Sequence, residues 1–128
     1  MKAWSIWLAV ACGGAVGAMA RHGVSTLAFR LLGPNFPWGT LTVNVIGSAV
    51  MGFLIVWLAH RGSNPPALRA FLAVGMLGAF TTFSTFALDV VTLYREKAIT
   101  MAAAYLGASI ILSVGGLFAG LMAGRMLL

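Results

Sequence analysis

The sequence predicts an all-α integral membrane protein of four transmembrane helices, a single domain over residues 1–128. Three observations carry this. Hydrophobic residues make up 61% of the chain and charged residues only 8%, whereas a soluble domain covers itself with about a quarter of its residues charged. Four stretches hold no Asp, Glu, Lys or Arg, and each nears or exceeds the ~20 apolar residues that cross a hydrocarbon core. The breaks between them are short and rich in Pro, Gly or charge.

The first stretch, Ala3–Ala20, continues past Arg21 through Val24, Leu27, Ala28 and Phe29, giving a span of 3–30. Lys2, the apolar run and Ala18-Met19-Ala20 also fit a cleavable signal peptide, but a single Lys and interrupting glycines weigh against it. The second stretch, Leu31–His60, opens on the break Gly33-Pro34-Asn35-Phe36-Pro37. Its membrane portion is Trp38–Ala59, in a span of 38–60. Arg61-Gly62-Ser63-Asn64-Pro65-Pro66 leads to the third, Ala70–Leu88, in a span of 68–94. Arg95-Glu96-Lys97 leads to the last, Ala98–Gly124, in a span of 98–126. Both termini fall on one side of the membrane.

Gly13 and Gly17 form one GxxxG pair, and Gly116, Gly120 and Gly124 form a double one. In lipid such small residues let helices approach closely. Packing within one bundle accounts for most of them, yet two such faces on so short a chain point to some packing between chains. The formal charge of +6 reflects scarcity of acids, since Asp89 and Glu96 are the only two. The cations sit at the ends of apolar runs, where they meet headgroups, and form no track for nucleic acid. Lys2, Arg61, Arg69 and Arg125 lie on one side against Arg30, Arg95 and Lys97 on the other. The positive-inside rule has nothing to act on. Two readings stay open: one orientation set by weaker cues, or dual topology, with chains inserted both ways pairing as an antiparallel homodimer. The single Cys12 permits no intrachain disulfide and has no metal-ligand spacing around it.

Polar groups at membrane depth are costly and therefore informative. The third span holds the densest set, from Gly75 and Gly78 through Thr81, Thr82, Ser84 and Thr85. Glycines followed by β-branched residues make this the weakest helix of the chain. It either breaks near Gly78, freeing carbonyls that a cavity or a bound ion must satisfy, or stays continuous with its hydroxyls bonded back to their own carbonyls. Phe80, Phe83 and Phe86 recur every three residues and would share a helical face. Such a stripe usually serves packing, but the positive ring edges beside hydroxyl donors would suit a small, partly dehydrated anion. Tyr105, Ser109 and Ser113, four apart, make a polar ladder on the last span. They would serve interhelical hydrogen bonds or replace a file of water. Asn44 would use its amide to join helices or to donate to a passing anion. Arg21 would snorkel, or concentrate anions in a vestibule. Asp89, ending the third span, would pair with Arg95 or Arg30. His22 and His60 are assigned no role.

The run Gly39-Thr40-Leu41-Thr42-Val43-Asn44-Val45-Ile46-Gly47, followed by Gly75-x-x-Gly78-x-x-Thr81-Thr82-Phe83-Ser84-Thr85-Phe86, resembles the Fluc (CrcB) family of fluoride channels. Gly13-Gly14-x-x-Gly17-Ala18-x-x-Arg21 fits as well, so the resemblance covers essentially the whole chain. It implies no enzyme but an antiparallel dual-topology homodimer in the bacterial cytoplasmic (inner) membrane, with two narrow pores that pass fluoride, reject chloride and export the ion passively. By motif, Phe83 and Phe86 would be the pore rings, Asn44 a donor to the ion, and Ser84 and Thr85 part of the path. Tyr105, Ser109 and Ser113 would form the polar track and Arg21 the vestibule cation. A structural sodium would sit on the dimer axis, held by the backbone carbonyls of Gly78 and Thr81 from broken third helices. Two departures are Ala79, where relatives can carry glycine, and His22, where an aromatic is common.

A proton-coupled small multidrug exporter is the alternative. It needs a carboxylate deep in the membrane, and Asp89 is the one candidate. A purely structural subunit would explain the glycines but leave the Thr81–Phe86 hydroxyls and the serine ladder without a use.

Overall fold

The computed structural model describes residues 2–128, and all its regular elements are helices. Helix α1 covers Ala3–Leu32 and α2 covers Trp38–Arg61. The third run comprises α3 (Pro66–Arg69), a π-helical segment (Ala70–Leu77), α4 (Gly78–Phe80) and α5 (Ser84–Arg95); α6 covers Ile99–Leu127. The runs Ala3–Leu32, Trp38–Arg61, Pro66–Arg95 and Ile99–Leu127 are each long and apolar enough to cross a membrane.

The breaks expected from composition end the helices by identifiable bonds. Gly33 follows α1 at φ 81°, its N–H donating to the Phe29 carbonyl. Gly62 follows α2 at φ 80°, its N–H donating to Ala59. This left-handed backbone favours glycine at a helix end. Asn64 adds a side-chain bond, Nδ2 to the Leu58 carbonyl at 2.7 Å, satisfying a carbonyl left over at the end of α2.

Two helix pairs build the bundle: α2 with α6, and α1 with the first half of the third run. Glycines make both close. Gly13 faces the Phe71 carbonyl and Gly17 the Met76 backbone, while Gly75 returns the contact at Val10 and Gly14. On the other pair, Gly120 faces the Ala49 backbone, Gly52 faces Leu117, and Gly116 and Gly124 face Val45 and Val56. The glycine faces that pointed in part to a partner chain are thus occupied within the subunit. A side chain at Gly120 would meet backbone, which cannot give way. Gly120→Leu should therefore cost about 3 kcal/mol or more and destroy the monodisperse peak in detergent, whereas Gly115→Leu, in open space, should keep it.

The third run changes partner along its length. Its first half lies on α1, and α5 lies on α6. Two small cores follow from this. Leu54, Leu58 and Leu77 make one; Leu41, Phe86, Leu93, Ala102 and Tyr105 make the other. Large apolar side chains such as Trp7, Met19, Ile111 and Met126 point outward, as a lipid-facing surface requires.

Candidate functional site

The change of partner occurs at Thr81–Phe83, between α4 and α5. Gly78 keeps helical dihedrals (φ −61°, ψ −37°), whereas Thr81 is extended (φ −87°, ψ 159°). The Thr81 N–H and Oγ1 both donate to the Leu77 carbonyl, each at 3.1 Å. Beyond it, the amides that would continue a helix are taken elsewhere. The Thr82 N–H donates to Asn44 Oδ1 at 2.8 Å, and the Thr82 carbonyl accepts from Asn44 Nδ2 at 3.0 Å. The Thr85 N–H donates to Thr82 Oγ1 at 3.2 Å, as a threonine does when it caps a helix start. In a continuous helix Thr82 and Thr85 would donate to the carbonyls of Gly78 and Thr81; here both donors are committed to side chains.

Asn44 therefore takes the first of the two uses open to its amide, joining α2 to the third run. Both ends of its amide bind the backbone of one residue, Thr82, and one Nδ2 hydrogen is left over. The bracing also undoes the helical face assumed for the phenylalanines. Phe83 lies outside helix and is 78% exposed, while Phe86, in α5, is 8% exposed. Their rings are 5.6 Å apart at 54°. Phe80 points instead toward Gly47.

A cavity of about 310 Å³ lies against this segment, lined by Asn44, Thr81, Thr82, Phe83 and Phe86 together with Ser109 and Ser113 of α6. Ser109 is 6% exposed and its Oγ has no hydrogen-bond partner. A buried hydroxyl without a partner is costly, so this one is free to meet an occupant. Ser48 also lines the cavity; sequence reasoning passed it over, although it stands one turn beyond Asn44 on the same helical face.

A second cavity, of about 350 Å³, lies at the α1–α2 break and is lined by Thr40, Thr85, Asp89 and Glu96, among others. Both acids of the chain thus border one space. Phe86, which lines the first cavity, packs on the fully buried Tyr105, ring centroids 5.3 Å apart. The Tyr105 hydroxyl donates to Asp89 Oδ2 at 3.0 Å, so the partner of Asp89 is this tyrosine, where the sequence pointed to an arginine. Phe36 packs edge-on against Tyr105, ring centroids 5.5 Å apart.

Of the remaining residues singled out by sequence, Ser84 is exposed and Arg21 half-buried, and neither lines a cavity. The Arg21 Nε is buried without a partner. Among the described residues no cluster of three His, Cys, Asp or Glu side chains could hold a metal.

The family model described as "CrcB-like protein, Camphor Resistance (CrcB)" matches residues 8–121. The chain belongs to the CrcB family. Relatives within it are similar over nearly their whole length. One from Rhodospirillum centenum is 56% identical over 114 residues, covering 89% of this chain and 90% of the relative. One from Cereibacter sphaeroides is 53% identical over 118 residues, covering 92% and 93%. One from Agrobacterium fabrum is 48% identical over 116 residues, covering 91% and 93%. All three are named fluoride-specific ion channel FluC. With four spanning helices, this CrcB family member is a multi-pass protein of a bacterial cell membrane.

Proposed function

We propose that the chain is a fluoride-selective channel, carrying the ion passively and acting as no enzyme. The observation that carries this is the cavity lined by Phe83, Phe86 and Ser109, whose hydroxyl is buried without a partner. A fluoride ion entering it would exchange hydration water for a hydroxyl donor, a spare Asn44 hydrogen and positive ring edges, all suited to a small anion. Ser113 and Ser48 extend the donors along the cavity. Thr85 and Asp89 border the second cavity, and Arg21 would draw anions toward the first span. Ser84, exposed on the subunit, would join the path at a partner's surface. The relatives' shared name supports the choice of anion. A cell interior held negative drives an anion outward, by about 2.3 kcal/mol per 100 mV, so a passive path exports fluoride and relieves its toxicity.

The working unit in this reading is an antiparallel dual-topology homodimer with the third helix of each copy broken at Thr81–Phe83. The nearly balanced end charges support it. A structural sodium at the dimer centre fits the donor chemistry: the carbonyls of Gly78 and Thr81 have lost their helical donors, and Gly78 is exposed on the subunit. Carbonyl oxygens suit a hard cation. When bound, sodium supplies charge to hold two broken helices together.

Efflux from liposomes holding only this protein tests the reading. Fluoride should leave without a pH gradient, and chloride should stay. Uptake of an organic cation coupled to protons, lost in Asp89→Asn, would instead establish the multidrug exporter.

A further inference from the structure

We infer that Gly47 is a positioning residue for the ion pathway, setting how deeply the Thr81–Phe83 segment seats against α2. The inference rests on the channel reading and extends it to a residue outside the cavity lining. Asn44 and Gly47 are one helical turn apart on α2 and therefore share a face. Asn44 holds the Thr82 backbone through two hydrogen bonds. Gly47 takes Thr81 in a different way. A Cβ built there would overlap Thr81 Cγ2 and stand 3.3 Å from Phe80 Cδ2 and 3.7 Å from Thr81 Cβ. Gly47 is itself buried, and its own φ is not in the left-handed region, so backbone freedom does not explain glycine here. What its missing side chain provides is space for one methyl group, that of the residue whose extended backbone ends α4.

Neither residue suffices alone. Without the space at Gly47, Thr81 would be pushed off α2 and Thr82 drawn out of reach of the Asn44 amide, since both hydrogen bonds need separations near 3 Å. Phe83, the next residue, would move with them. The two phenylalanine rings and the Ser109 hydroxyl would then no longer face one space. Gly52, one turn and a half further along α2, is equally close-packed but meets the Leu117 backbone. It serves the α2–α6 pair.

A double-mutant cycle tests this, because the obstructing atom is one that serine lacks. Thr81→Ser removes Cγ2 and keeps Oγ1, which donates to Leu77. Fluoride efflux would be measured for the wild type, Gly47→Ala, Thr81→Ser and the double variant. Gly47→Ala should lower efflux about tenfold or more in the wild-type background and cause little further loss in the Thr81→Ser background. Gly52→Ala should lose as much in either background. Should Gly47→Ala fail to fold, the same cycle is read from the yield of monodisperse protein, which Thr81→Ser should restore for Gly47→Ala and not for Gly52→Ala. Wild-type efflux in Gly47→Ala, or equal losses in both backgrounds, would overturn the inference. A wild type that passes no fluoride would sink the channel reading instead, and the yields would still decide whether Gly47 positions Thr81.

Discussion

Phe83→Ile is expected to abolish fluoride efflux while leaving the protein as stable as before. The ring is 78% exposed on the subunit, so its replacement opens no cavity in the fold and should shift stability by no more than about 0.5 kcal/mol. Isoleucine keeps apolar bulk but has no quadrupole, so an anion at that position would face hydrocarbon in place of a positive ring edge. Phe86→Ile should abolish efflux too, with a second consequence. Phe86 is buried against Tyr105, and changing its shape in that core should cost about 1–3 kcal/mol. Efflux and thermal unfolding measured together on both variants separate the two effects. Wild-type efflux from Phe83→Ile would remove the aromatic pore from the account.

Asn44→Ala should be more damaging still, to fold and flux alike. It leaves the Thr82 N–H and carbonyl without their partners, at a depth where lipid offers no water. Each unpaired group costs about 1–3 kcal/mol. Asn44→Asp is nearly isosteric and would still accept from the Thr82 N–H, but it would set a carboxylate oxygen against the Thr82 carbonyl, where Nδ2 now donates at 3.0 Å. A lowered melting temperature and no efflux are expected from both. An Asn44→Asp protein with wild-type melting and flux would show that the two-point brace is not needed.

The helices were legible because hydropathy alone decides what can cross lipid, and the breaks at Gly33 and Gly62 because only glycine accepts their backbone readily. Local propensity located the third run's weakness less well. It pointed to Gly78, which is helical, whereas the non-helical residues are Thr81–Phe83. What diverts the chain there is Asn44, 38 residues away, and such a partner leaves no trace in a local pattern. The same reason hid the Tyr105–Asp89 bond and the division of Phe80 from Phe83. The Ser109–Ser113 pair was readable because both sit on an unbroken helix, where spacing by four does fix a shared face. Ser48 obeyed that rule with respect to Asn44 and was passed over. Glycine spacing showed that close packing exists but not against what: Gly17 and Gly120 meet helices of their own chain.

The most direct test of the central claim is the reversal potential of currents through the purified protein in a planar bilayer, with fluoride on one side and chloride on the other. A fluoride-selective passive pathway predicts current without any pH gradient, carried by fluoride alone, with reversal driven far toward the fluoride equilibrium potential. Reversal near zero, with chloride carrying current as readily as fluoride, would contradict it.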